Sequence, residues 1–169
     1  GYLFDKDTAK KAFHMAAQMA HDAGKLVALS LSDPFCVDRH RKDFQDLVSG
    51  HVDILFCNEQ ELLNLYETTD FDAALLRVAE HTDVCAVTRG AKGAKLVFHK
   101  TQFDIMAAPV KKVEDLTGAG DGFAGGVLYG LTQGMDPVAC GNLGAMVASE
   151  IISHIGARPQ RKLHELLVA

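Results

Sequence analysis

The hydrophobic pattern of the chain alternates between short continuous apolar runs and longer stretches of helical period. Phe13, Ala16, Ala17 and Ala20 recur at helical spacing, which predicts an amphipathic helix over Asp7–Ala23 with Gly24 as its stop. The run KLVALSLS, Lys25–Ser32, predicts a buried strand. DPF at Asp33–Phe35 ends it, because Pro34 cannot continue a ladder. A helix is expected over Asp38–Val48, a second strand over Val52–Cys57, and helices over Glu59–Tyr66 and Asp72–His81, the last capped by Asp70 or Asp72. VCAVT, Val84–Thr88, reads as a third strand. Gly90 and Gly93 then mark a loop, and AKLVFH and QFDIMA flank Lys100-Thr101 as a hairpin. Helices are expected over Ala119–Gln133 and over Pro137–Ser153, where Pro137 suits a first-turn position after Asp136. A short helix over Arg161–Val168 closes the chain, and the opening GYLF, Gly1–Phe4, reads as the end of a strand.

Strands alternate with helices three times before the hairpin and the last two helices. That order predicts an α/β architecture with a mainly parallel sheet. With 169 residues, and no repeat, low-complexity segment or linker, residues 1–169 read as a single domain.

Composition narrows the function classes. The formal net charge is −5, and the only local basic cluster, DRHRK at Asp38–Lys42, carries its own acid, which disfavours nucleic acid as a partner. Cys36, Cys57, Cys85 and Cys140 have no C-x-x-C spacing and read as reduced, buried thiols of a cytoplasmic protein. No apolar run approaches the roughly 20 residues of a membrane span, and GYLFDKDTAKK has no signal-peptide pattern.

The candidate chemistry lies in DLTGAGDGFAGG, Asp115–Gly126. A phosphate needs several backbone N–H groups aimed at one point, and a chain without bulky side chains allows that approach. A helix start adds unpaired N–H groups and the positive end of the helix dipole. TGAG before a helix supplies both. Asp121 then falls in the first helical turn, where a carboxylate would repel a phosphate. It makes sense as a base that takes a proton from an attacking hydroxyl. Gly122, Gly125, Gly126 and Gly130 each weaken a helix by roughly 1 kcal/mol relative to alanine, so a packing or ligand constraint is expected there. Other readings of the stretch are a dinucleotide fingerprint, since Gly120, Gly122 and Gly125 form G-x-G-x-x-G, and a packing helix without chemistry. The charged KKVED that precedes it is a poor match to the strand a fingerprint requires, and no G-x-x-x-x-G-K-(S/T) loop exists.

DLTGAGD resembles the second signature of the ribokinase-like, PfkB-type carbohydrate and nucleoside kinases, with Leu116 departing at one variable position. NEQE at Asn58–Glu61 resembles the family's N-x-x-E motif, TRGAKG at Thr88–Gly93 its T-x-G-x-x-G segment, and IGARP at Ile155–Pro159 its terminal loop. The resemblance implies a ribokinase-like (Rossmann-like) three-layer α/β/α fold and an ATP-dependent phosphotransferase. Gly118, Ala119 and Gly120 would form an anion hole and Asp121 would be the base. Asn58 and Glu61 would act on Mg²⁺ and phosphate, largely through water. Thr88, Gly90, Gly93 and Thr117 would lie on the nucleotide side, with Ala145 and Ala148 flanking adenine. Asp115, Thr117 and Gly156 would border a monovalent cation such as K⁺. Each has a plainer reading: Asn58 as a helix cap, Thr88–Gly93 as a turn, Ala145 and Ala148 as packing residues.

Within the family, LSDPF and HVDILFCNEQE resemble segments of adenosine kinases, which would place Phe35 on a nucleoside base, unless it is a core residue. Sugar kinases of the ribokinase and fructokinase type are the alternative. Members of the family run to about twice this length, and the resemblance covers only their C-terminal, nucleotide-binding half. The expectation is therefore a fragment of a kinase rather than a natural half-protein, by itself a nucleotide-binding module without turnover, which self-associates or is poorly soluble through the surface the other half would cover.

Overall fold

A computed structural model of the chain describes residues 2–167. The chain divides into two compact units. One runs from the N-terminal residues to Val87 and includes Val97–Thr101, and the other comprises Thr88–Leu96 and the residues from Gln102 onward.

The first unit carries β1 (Ala28–Ser30), β2 (Ile54–Asn58) and most of β3 (Val84–Thr88), with α1 (Asp7–Asp22), α2 (Pro34–Arg39), α3 (Arg41–Gly50), α4 (Glu59–Tyr66) and α5 (Phe71–Ala79). β1 runs parallel to β2, with Ala28 opposite Ile54 and Ser30 opposite Phe56. The first four residues of β2 and of β3 are all buried, as expected of strands covered on both faces. Leu55, Cys85 and Val87 meet Leu62, Leu65 and Leu75 of the helices in one core. Side-chain caps start the helices: Asp33 accepts from the N–H groups of Phe35 and Cys36, and Asp70 from that of Ala73.

The second unit holds the hairpin strands β4 (Ala94–Phe98) and β5 (Thr101–Ile105) for most of their length, and the long helices α6 (Ala119–Thr132) and α7 (Pro137–Ile152). Lys95 and Asp104 pair across the hairpin at 2.7 Å. Strand order follows chain order, β1-β2-β3-β4-β5. The α/β architecture with a mainly parallel sheet is therefore as expected, and so are the four buried free cysteines. Among the described residues, no helix is long and apolar enough to cross a membrane.

Several elements differ from their expected form. The first strand shrinks from Lys25–Ser32 to Ala28–Ser30, and Ser32 leaves it with φ 70°. Pro34 does not merely end the strand but starts α2 at its first turn, behind the Asp33 cap, so the single helix expected over Asp38–Val48 is two, α2 and α3. The hairpin turns at His99-Lys100, both at positive φ, one residue before the expected pair. The opening segment is a 3-10 turn, Tyr2–Asp5, rather than a strand end, and Phe4 is buried and stacks on Phe44 at 4.7 Å. The closing helix is a 3-10 turn, Leu163–Leu167, and its expected last residue, Val168, lies outside the described residues, as does Gly1.

Candidate active site

The glycines after Thr117 divide by function. Gly118 is the N-cap of α6 with φ 81°, a left-handed conformation that glycine adopts without strain. A Cβ there would lie 2.6 Å from the Ala157 carbonyl oxygen. Gly122, Gly126 and Gly130 recur every fourth residue on the side of α6 that meets α7. A Cβ on Gly126 would come within 2.7 Å of Gly144 Cα, one on Gly130 within 2.8 Å of Cys140 Sγ, and one on Gly122 would collide with Ile151. Gly144 answers from α7, where an added Cβ would lie 2.7 Å from the Phe123 carbonyl oxygen. The two helix backbones therefore approach closely along this ridge. Gly120 and Gly125 are different: an added Cβ meets nothing within 4 Å at either. Packing explains the first set and leaves the second unexplained.

Gly120 stands in the first turn of α6. The first intrahelical bond runs from Gly122 N–H to the Gly118 carbonyl at 2.9 Å, and Ala119 N–H donates to the Leu116 carbonyl at 3.2 Å. Among the described residues, the N–H groups of Gly118, Gly120 and Asp121 have no protein partner. They are the orphan donors of a helix start, at the positive end of its dipole. The Asp121 side chain, in the same turn, is exposed and has no hydrogen bond or ion pair with the described residues. It lines a cavity of about 450 Å³ together with Gly122, Gly125, Tyr129, Val147 and Ala157. Unpaired N–H groups and an unpartnered carboxylate thus share one helix turn. That arrangement can hold an anion and accept a proton beside it.

Behind the turn, Asp115 is held by backbone donors. Its Oδ1 accepts from Thr117 N–H at 2.9 Å and its Oδ2 from Gly156 N–H at 3.0 Å. The backbone and side-chain bonds from Thr117 come first, and with the Gly156 bond and the nearby His154 they lower the Asp115 carboxyl to about 2. The carboxylate is therefore charged at neutral pH, with Thr117 and Gly156 beside it.

A second cleft, of about 440 Å³, lies between Ala108–Lys112 and Met146 and Ser149 of α7 with its C-cap Ser153. Ser149 Oγ donates to the Pro109 carbonyl at 2.7 Å and fixes the loop to the helix. Ala145 and Ala148 are half-buried on the same helix, and their chain neighbours Met146 and Ser149 line this cleft. Sequence reasoning missed Met146, Ser149 and the loop at Ala108–Lys112, because AAPVKK has neither periodicity nor turn chemistry. Gly93, at φ 85°, closes the turn after Thr88, with Arg89 N–H donating to its carbonyl at 2.8 Å. A Cβ on Gly93 would collide with the Ile105 carbonyl oxygen. Gly90, by contrast, faces open space.

In the first unit, Asn58 and Glu61 form a reciprocal capping box at the start of α4. Asn58 Oδ1 accepts from Glu61 N–H at 2.8 Å. Glu61 Oε2 accepts from Asn58 N–H at 2.9 Å, and its Oε1 from Asn58 Nδ2 at 2.8 Å. Glu61 is 4% exposed. Burial pushes its carboxyl above the usual range, opposed by the Asn58 N–H. No Lys, Arg or His side chain among the described residues pairs with it. Phe35 is 78% exposed rather than a core residue. No group of three or more His, Cys, Asp or Glu side chains among the described residues could cage a metal ion.

The profile of the pfkB family carbohydrate kinases matches residues 1–163. The fold superposes with a TM-score of 0.95 on a probable sugar kinase from Rhizobium etli CFN 42, 44% identical, and with the same score on the adenosine kinase of Sinorhizobium meliloti, 42% identical. Each superposition covers 99% of this chain and 51% of the other. A cytidine kinase from Thermococcus kodakarensis is 35% identical over 119 residues, which cover 69% of this chain and 42% of the relative. The chain thus spans about half the length of its solved relatives and less than half of the cytidine kinase. The fold is that of the ribokinase-like α/β proteins.

Proposed function

The chain belongs to the pfkB family of carbohydrate kinases, and on that premise we propose that it carries the phosphate-binding and proton-accepting part of an ATP-dependent kinase. The acceptor is a hydroxyl of a nucleoside or a sugar, with adenosine placed first. The observation that carries the reading is the first turn of α6, where orphan N–H groups and the unpartnered Asp121 carboxylate stand together.

Asp121 accepts the proton of the acceptor hydroxyl while that oxygen forms a bond to the terminal phosphorus of ATP. The bond from that phosphorus to the bridging oxygen breaks, and ADP leaves with the electron pair. The free N–H groups of Gly118, Gly120 and Asp121 are offered to the transferring group, whose charge spreads over its peripheral oxygens, whereas Ala119, expected as a third donor with Gly118 and Gly120, gives its N–H to the Leu116 carbonyl and serves the turn's shape. Transfer of this kind depends on positioning and charge neutralisation more than on covalent help from the protein. Thr88, Gly90, Gly93 and Thr117 lie along the nucleotide, and Ala145 and Ala148 flank its base. Phe35 contacts the acceptor.

Glu61 fits Mg²⁺ held through water. It is a buried carboxylate with no cationic side chain beside it among the described residues, and both its oxygens accept from Asn58. When bound, the ion neutralises charge on the phosphate oxygens. Asp115, charged and flanked by Thr117 and Gly156, fits a monovalent cation such as K⁺. A cytoplasmic location accords with this chemistry.

The sugar alternative is supported by the Rhizobium etli relative, and the nucleoside reading by the Sinorhizobium meliloti one. A second reading, of these 169 residues taken by themselves, is a nucleotide-binding module without turnover, since the orphan N–H groups of α6 can hold a phosphate with no acceptor beside it. Such a module is expected to self-associate through exposed apolar side chains such as Leu116 and Ile155. The test is calorimetric titration of the chain with MgATP, followed by assay of ADP release with adenosine, ribose or fructose. ADP release with one acceptor supports the kinase, binding alone supports the module, and no binding refutes both.

A further inference from the structure

Glu150, near the end of α7, is 8% exposed although it carries a carboxylate. A buried charge is retained at a cost unless donors compensate it. Here the donors are two consecutive backbone amides: Glu150 Oε1 accepts from Gln160 N–H at 2.9 Å and from Arg161 N–H at 3.1 Å. Oε2 is buried without a hydrogen bond, and His154 Nε2, one turn on, lies 3.4 Å from Oε1 and is likewise unbonded. One carboxylate oxygen therefore holds the chain at the eighth and ninth residues after α7 ends.

The segment it holds runs behind the first turn of α6. Its near end is fixed by Gly156 N–H, which donates to Asp115 Oδ2 at 3.0 Å. Its far end is fixed by Glu150. Between the two pins sits Ala157, whose carbonyl oxygen, Cβ and Cα occupy the space 2.6–2.9 Å from where a Cβ on Gly118 would stand. Asp115 meanwhile holds Thr117 N–H through its other oxygen. Gly156–Arg161 is thus a strap that backs Gly118, tied to Asp115 at one end and to Glu150 at the other.

We propose that Glu150 is a positioning residue for the anion cradle, setting the place of Gly118 and Thr117 by anchoring the strap at Gln160 and Arg161. As to the ligand, the proposal rests on the kinase reading above, in which the cradle receives the phosphates of a nucleotide. Leucine at this place would fill the volume without a charge to bury, and the amides it releases belong to the exposed residues Gln160 and Arg161, where water can take them up. What it could not do is hold two amides at a fixed point. The contribution of Glu150 is therefore to geometry rather than to net stability.

The test compares the whole chain with Glu150→Leu, which removes the acceptor, and Glu150→Gln, which keeps a neutral one. Amide hydrogen exchange is read residue by residue, and MgATP is titrated by calorimetry. In Glu150→Leu, exchange should quicken at Gln160 and Arg161, and also at Thr117, Gly122 and Gly156, by about tenfold or more. The amides of α4 should not change. Affinity for MgATP should fall by about tenfold while the melting temperature holds, and Glu150→Gln should restore both the exchange and the affinity. Release of Gln160 and Arg161 with no change at Thr117 and Gly122 overturns the proposal. Should Glu150→Leu fail to fold, Gln160→Pro deletes one donated N–H from the other side. It must loosen the same cradle amides, and protection left unchanged there overturns the proposal equally. If the wild-type chain binds no MgATP, the kinase reading fails, and the exchange comparison, which needs no ligand, decides the strap by itself.

Discussion

Replacing Gly120 by alanine separates binding from stability. Gly120 is the second residue of α6, its φ is not positive, and an added Cβ meets nothing within 4 Å. The free protein therefore has no reason to resist the methyl group. Alanine in a helix gains up to about 1 kcal/mol over glycine, and for a chain of this size that raises Tm by about 2–4 °C at most. Helical Cα–Cβ bonds tilt toward the N-terminus, so the methyl group projects toward the place an anion takes at the helix start. Loss of one hydrogen bond to a charged group costs about 1.5–3 kcal/mol, which is a weakening of MgATP affinity of about 10- to 150-fold. Gly118→Ala is the control. Its φ of 81° and the Ala157 oxygen at 2.6 Å from the new Cβ mean that stability and binding fall together. Thermal melts and MgATP titrations at one salt concentration read both quantities. Unchanged affinity in Gly120→Ala would refute the cradle. A fall in Tm for the same variant would refute the claim that nothing of the protein occupies the space.

In a protein that turns over, Asp121→Asn should keep or tighten nucleotide affinity, since a carboxylate near the phosphates is removed, and should lower kcat by about 10²–10⁴; equal turnover would remove Asp121 from the role of base. Gly126→Ala forces a Cβ within 2.7 Å of Gly144 Cα. It should destabilise the α6–α7 pair by about 1–3 kcal/mol, seen as a lower Tm, and an unchanged Tm would mean that the helices do not approach as described. Asp115 should titrate at about 2 by carboxyl NMR, held down by Thr117 and Gly156. Because its folded pKa lies below the unfolded value of about 3.9, its contribution to stability is complete above about pH 4 and is lost as pH falls toward 2. Titration near 4 would show that the Thr117 and Gly156 bonds do not hold it.

The fold was legible wherever one period ruled a segment. α4 and β3 run over the residues that periodicity and apolar runs assign them, Glu59–Tyr66 and Val84–Thr88. Misplaced boundaries came from residues with two physical uses. Pro34 ends a ladder and also starts a helix, and only the Asp33 cap, which accepts from Phe35 and Cys36, decides for the helix. The hairpin turns on His99 and Lys100, residues that seldom take positive φ, so no Asn-Gly or Asp-Gly signal marked it. At the start, four residues with an apolar run mimic a strand end, yet one aromatic, Phe4, settles into the core from a 3-10 turn.

The candidate site shows where a motif stops informing. TGAGD fixes a local shape, a left-handed cap followed by a helix start, and that shape is encoded within five residues. What holds the shape is not local. Asp115 reaches Gly156 across 41 positions, and Gly118 is backed by Ala157, which no periodicity in GARPQRK announces. The glycines carry the same lesson. In the sequence Gly120, Gly122, Gly125 and Gly126 are equivalent, and a phosphate-approach argument covers all of them alike. In three dimensions Gly122 and Gly126 are occupied by α7, whereas Gly120 and Gly125 face empty space. A glycine kept for packing should fail by losing stability, and one kept for a ligand by losing affinity. Gly126→Ala and Gly120→Ala are therefore expected to part in opposite directions, although the two positions stand six residues apart on one helix.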